Sequence, residues 1–157
     1  TPVQLLHAQG ALSEPSYQAI RAWFTEYLDW LEKSEFGQFE RTRANNHGTW
    51  YDVQVVGLML FLGRNQDARQ LLETTTKKRI ATQVEPDGRQ PQELARTKSL
   101  SYSRMNLSAF KHLVALGKKV GVDLWDYETD DGRSIQRADA FLRPYVTGEK
   151  KWPYQQL

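Results

Sequence analysis

Apolar residues recur at intervals of three and four along most of this chain, and nowhere alternate over a useful length. From Pro15 to Lys33, Tyr17, Ile20, Trp23, Phe24, Tyr27, Leu28 and Leu31 form one helical stripe. Ser13 is a good N-cap and Pro15 suits the early turn, so this start is well marked. Glu35 to Ala44 is polar and mixed and reads as a loop. A second helix is predicted from about Asn46 to Leu62, with Gly63 ending it at the C′ position. A third, capped by Asn65, runs to about Val84 with Ala68, Leu71, Leu72 and Ile80 inward.

Glu85-Pro-Asp-Gly-Arg-Gln-Pro then interrupts the pattern, and Glu85 to about Thr97 reads as an extended loop. Helix returns between about Tyr102 and Val120, with Leu107, Phe110, Leu113, Val114 and Leu116 as its stripe. Gly117 and Gly121 mark its end region. Asp126 to Arg133 contains an Asp-Asp-Gly turn, and Ser134 caps a last helix to about Tyr145. The expected architecture is all-α, with five consecutive antiparallel helices joined by uneven loops. Such helical hairpins are what an (α/α) toroid or barrel consists of. A closed toroid of six hairpins needs roughly twice as many helices. Residues 1–157 are therefore expected to form a single domain, the C-terminal half of a toroid. A half toroid exposes an apolar seam, which predicts self-association or pairing with a missing N-terminal segment.

Composition narrows the function classes. At 157 residues, with 39% hydrophobic and 25% charged positions, the chain can bury a real core. The net charge of +2 and the lack of long like-charge blocks give no reason to expect nucleic acid. Lys77, Lys78 and Arg79 read as a solvated helix face. The longest apolar run, Val55 to Leu62, is too short to span a bilayer, so no membrane partner is expected. There is no cysteine, so disulfides and thiolate sites are excluded. The first residues show neither a basic region nor a long apolar stretch, so a signal peptide is expected to be absent or already removed.

The most informative motif is Asn45-Asn46-His47-Gly48-Thr49-Trp50-Tyr51, at the entrance of the second helix. With Asn46 as cap, His47 falls in the first turn, where the macrodipole disfavours imidazolium and leaves a ring able to accept a proton. The Asn45 and Asn46 amides can donate to a carboxylate, and Trp50 and Tyr51 can face a sugar. The bland alternative is a capping Asn beside a satisfied polar His. A second group is Arg96 and Tyr102: guanidinium recognises carboxylates bidentately, and a phenol beside it can donate or accept a proton. Trp125-Asp-Tyr127 and Lys151-Trp-Pro-Tyr154 read as packing. No zinc signature, phosphate loop or nucleophile elbow occurs, so neither metal nor cofactor is expected.

The Asn45–Tyr51 heptad, the Arg96–Tyr102 stretch and Gly121-Val-Asp-Leu-Trp-Asp-Tyr-x-Thr-x-Asp-Gly-Arg133 together resemble the alginate lyase superfamily with an α/α-toroid catalytic domain. That group includes alginate and glucuronan lyases, and the resemblance runs from about Tyr17 to the end. It implies β-elimination across C4–C5 of a uronate in an acidic polysaccharide, in a periplasmic or secreted setting. By the same resemblance, Asn46 and Arg96 hold the C5 carboxylate, and His47 and Tyr102 are the proton-transfer pair. Asn45, Trp50 and Tyr51 bind substrate, with Tyr51 as an alternative proton carrier. Two other readings compete. One is a non-catalytic binding or scaffold protein derived from the same fold. The other is a toroid glycoside hydrolase, which needs two convergent carboxylates from among Glu85, Asp87 and Glu93.

Overall fold

A computed structural model describes residues 1–157 as helices and connecting turns, with no strand. The α-helical segments are α1 (Pro2–Ala8), α2 (Glu14–Lys33), α3 (Glu35–Thr42), α4 (Asn46–Leu62), α5 (Asn65–Leu71), α6 (Lys77–Gln83), α7 (Pro91–Leu94), α8 (Ser99–Gly117) and α9 (Ile135–Val146). None is long and apolar enough to cross a membrane. Ser13 caps α2, Gly63 ends α4 in the left-handed region at φ 87°, and Ser134 caps α9, all as the sequence predicts.

Four boundaries differ from expectation. The segment read as a loop is α3. Ser34 ends α2 and also caps α3, its hydroxyl accepting from the Gly37 N–H at 3.0 Å. Gly37 lies so close to the Leu31 carbonyl that a Cβ would overlap it, which allows the sharp corner. The predicted third helix is split by a single π turn, Leu72–Thr76, and follows Arg64 with no side-chain cap. The predicted loop over 85–97 contains the one-turn α7. Helix α8 begins at Ser99 rather than near Tyr102, because the C-terminal tail of the same chain supplies its cap. Gln156 Oε1 accepts from the Leu100 N–H at 2.9 Å, and the Ser99 N–H donates to the Gln155 carbonyl at 3.2 Å. The short α1, unmarked by apolar periodicity, is closed by a Thr1–Gln4 capping box.

Helix α4 is buried on several sides, with Tyr51, Asp52, Val55, Val56, Met59 and Phe61 all below 5% exposure. A helix apolar nearly all round belongs inside a layer of others. It packs against α8, and the two run parallel: Leu60 and Phe61 share a cleft with Leu116, while Asn46 and His47 share one with Met105. Helices α2, α6 and α9 run antiparallel to these two. Tyr51 bonds back to Leu31, Asp52 to Arg79, and Lys111 to Asp139. The N-termini of α4 and α8 therefore open at the same end of the molecule, where both macrodipoles are positive.

On α2 the expected stripe is only partly inward. Leu28 and Leu31 are in the core, whereas Trp23 is 58% and Trp30 47% exposed. Their rings stack through Tyr27, with centroids 5.3 and 6.0 Å apart, and so cover one another's faces.

Candidate functional site

The helix start that carries the heptad is held by two buried networks. Asp52, fully buried, accepts from Arg79 Nε at 2.8 Å, Arg79 Nη2 at 3.0 Å and the Thr76 hydroxyl at 3.1 Å. The π turn lies between α5 and α6, and Thr76, its last residue, is one of those donors. Arg79 also donates to the Arg41 and Arg43 carbonyls at 2.7 and 3.1 Å, which ties the α3–α4 connection to α4. Burial pushes the Asp52 carboxyl above its usual range, against the downward pull of the Arg79 hydrogen bonds and charge. A Cβ at Gly48 would overlap the Arg43 carbonyl and the Arg79 guanidinium, so glycine is required for this close approach. The second network is a polar layer. Gln83 Oε1 accepts from the Thr49 hydroxyl at 3.0 Å and from Asn106 Nδ2 at 2.9 Å, and Asn106 Nδ2 also reaches Gln90 Oε1 at 2.8 Å.

On this base the heptad divides its labour differently from expectation. Asn45, not Asn46, is the N-cap: its Oδ1 accepts from the His47 N–H at 3.2 Å. Asn46 is the first helical residue and turns inward, 4% exposed. Its backbone N–H and Nδ2 donate to the two oxygens of Glu93 at 2.5 and 2.9 Å. Glu93 is itself 1% exposed. Burial pushes its carboxyl up, while the two Asn46 bonds and the charges of Arg96 and His47 pull it back; the net direction is upward. Glu93 therefore ties the start of α4 at Asn46 to α7, three residues before Arg96 in the chain.

His47 is half exposed, and its Nδ1 lies 2.8 Å from Glu40 Oε2. A carboxylate accepts only, so Nδ1 is the donor in this contact, and Nε2 is the ring nitrogen it leaves free. His47, Asn46, Trp50 and Tyr51 line one groove of about 390 Å³ with Glu40, Leu31, Gln54 and Met105. The Trp50 ring tilts against His112, with centroids 5.3 Å apart. Tyr51 is 4% exposed and its hydroxyl donates to the Leu31 carbonyl at 3.0 Å, so the group expected as an alternative proton carrier is committed to the backbone.

Arg96 and Tyr102 are brought together but are not in that lining. The guanidinium stacks over the Tyr102 ring, 4.1 Å from its centroid. Neither side chain makes a hydrogen bond within the chain. Tyr102 lies in the opening turns of α8, three residues before Met105, which does line the groove. The carboxylates of the hydrolase reading are engaged separately: Glu85 with Arg133 at 3.5 Å, Asp87 with Arg89 at 2.6 Å, and Glu93 with Asn46. No set of three or more His, Asp and Glu side chains gathers at metal-holding distances.

Glu40 and Glu93 are the polar partners that local sequence did not reveal. Glu40 stands in the segment read as loop, and only the α2–α3 corner brings it to His47. Glu93 falls three residues before Arg96, a helical spacing that α7 explains in retrospect.

Residues 1–152 match the sequence profile of the family described as alginate lyase. The fold superposes on the crystal structure of an alginate lyase from Bacteroides ovatus with a TM-score of 0.93 and 35% sequence identity. The match covers 99% of this chain and 41% of that one, so this chain spans about two fifths of that relative's length. No curated protein matches the chain.

Proposed function

The chain belongs to the alginate lyase family, with helical hairpins that form part of an α/α toroid, and from that premise we propose that it carries the proton-transfer site of a polysaccharide lyase acting on a uronate polymer. The observation that carries the proposal is the His47–Glu40 contact, which engages Nδ1 and leaves Nε2 of a groove-lining imidazole without a partner. In this reading Nε2 removes the C5 proton, the C4–O4 bond breaks as the C4–C5 double bond forms, and the Tyr102 hydroxyl gives its proton to O4. Arg96 engages the C5 carboxylate, supported by the second amide hydrogen of Asn46 and by the positive ends of α4 and α8. Neutralising that carboxylate makes the α-proton removable, and losing one such donor typically costs about 10²–10³ in rate. A positioned acid or base contributes about 10²–10⁴.

Glu93 has a positioning role: by holding the backbone and amide of Asn46 it fixes the end of α4 that carries His47. A tyrosine acting as both base and acid suits mannuronate and glucuronate, where H5 and O4 lie on one side; the His47–Tyr102 pair suits guluronate. The test is formation of unsaturated uronate, followed by ultraviolet absorbance, on polymannuronate, polyguluronate and glucuronan. Wild type should release product from at least one polymer, and His47→Ala and Tyr102→Phe should lose it. Full activity in both variants would sink the role assignment. Binding of a polymer with no product from wild type would favour the non-catalytic alternative.

A further inference from the structure

A second groove, of about 320 Å³, lies between α8 and α9. Asp139, the acidic residue of its lining, accepts from Lys111 Nζ at 2.5 Å and Arg143 Nη2 at 2.8 Å. Arg104 lines the same groove, is exposed and has no partner. Three cations of the lining thus face one anion, and with Glu149, which accepts from the lining Thr147 hydroxyl at 2.8 Å, the cleft keeps one net positive charge. Burial pushes the Asp139 carboxyl up, but the hydrogen bonds from Arg143 and Lys111 outweigh it and hold the group below its usual range. Asp139 is therefore ionised at neutral pH and holds two of the cations in fixed positions. The apolar part of the lining is Val146, 49% exposed, with the buried Leu107 and Leu142 beneath. Fixed cations around a groove with an apolar side at Val146 match a pyranose chain with a carboxylate on each ring.

The two grooves are neighbours. Met105 lines the His47 groove and Arg104 lines this one, so they flank the exposed face of a single helix. An α-helix with its side chains is about 10–12 Å across, a distance one oligosaccharide can cross. We propose that the α8–α9 groove is a second binding site for the acidic polysaccharide, engaging uronate residues remote from the reacting one and continuous with the His47 groove across α8. The uronate identity of the ligand rests on the proposed function; the location and charge of the site do not.

The test is calorimetric titration of the full chain carrying His47→Ala, so that no turnover occurs. The probes are saturated dimers and hexamers of mannuronate, guluronate and glucuronate, with a single-stranded DNA hexamer as a different polyanion. Adding Arg104→Ala and Lys111→Ala should weaken the best hexamer by about tenfold at low salt, less at high salt, and leave the dimer unchanged. Arg104→Lys should recover part of the loss. Hexamer affinity that is unchanged, or dimer affinity that falls equally, would overturn the inference. So would a DNA hexamer that binds as well and loses as much, or the absence of any oligouronate binding. If the hexamer binds through Arg104 and wild type makes no unsaturated product, the lyase reading fails and this site stands.

Discussion

Replacing Asp52 by Ala should be among the most damaging single changes in this chain. The carboxylate is fully buried and Arg79 is 8% exposed, so the guanidinium would be left without its counter-ion out of water. Removing one partner of a buried pair typically costs about 3–5 kcal/mol. Unfolding entropy of about 2.1 cal/mol/K per residue, over 157 residues, gives about 0.33 kcal/mol/K. The expected drop in Tm is therefore about 9–15 °C, a large part of a total stability of about 5–15 kcal/mol. Because burial already holds the Asp52 carboxyl above its usual range, the pair does not fully recover its desolvation cost. The double variant Asp52→Leu/Arg79→Met should accordingly be more stable than Asp52→Ala. It should still fall about 2 kcal/mol below wild type, since the Arg41 and Arg43 carbonyls each lose a hydrogen bond worth about 1 kcal/mol. Urea and thermal unfolding followed by circular dichroism would measure both. Asp52→Ala within 1 kcal/mol of wild type, or a double variant no better than the single, would refute the reasoning.

Gly48→Ala should destabilise by about 1–3 kcal/mol, because the added methyl meets a backbone carbonyl and a pinned guanidinium; a neutral result in urea unfolding would contradict that packing. Glu93, raised above 4.5 by burial, binds its proton more tightly folded than unfolded, so its contribution is full below pH 4.5 and is lost as pH rises through the folded value. Glu93→Gln should flatten that decline and cost about 1–3 kcal/mol at neutral pH by opposing an amide to an Asn46 donor; urea midpoints between pH 4 and 7 would report both. Glu40→Gln should slow uronate elimination by about 10–100-fold, with the groove otherwise intact, and an unchanged rate would remove Glu40 from the mechanism. Gln156→Ala should cost about 0.5–2 kcal/mol and speed hydrogen exchange at the Leu100 and Ser101 amides, and unchanged exchange would show that the tail does not cap α8.

Helices whose ends are marked by their own residues were legible in sequence: Ser13 for α2, Gly63 for α4 and Ser134 for α9. Ends set by distant contacts were not. The α2–α3 corner depends on a glycine meeting a carbonyl six residues earlier, and the start of α8 on an amide 56 residues away. The π turn has no periodicity of its own and serves a buried carboxylate on another helix. The same division runs through the candidate site. Helical spacing alone placed His47 beside Trp50 and Tyr51, whereas Arg96 and Tyr102 were paired only as the flanks of a short polar stretch at the mouth of the next helix. Which amide caps and which turns inward was decided by Glu93, and what holds the imidazole by Glu40, both reached only through the fold.

The tail contact gives the order of synthesis a role in building the Arg96–Tyr102 step. Chains are made from the N-terminus at about 5–20 residues per second, so the 56 residues separating Leu100 from Gln156 take about 3–11 s. Of those residues 39 follow Gly117, so for about 2–8 s α8 is complete in sequence while the amides of its first turn lack their acceptor. A nascent chain halted before Gln155 would hold every polar group of the His47 groove and still leave the phenol and guanidinium on an unfastened end.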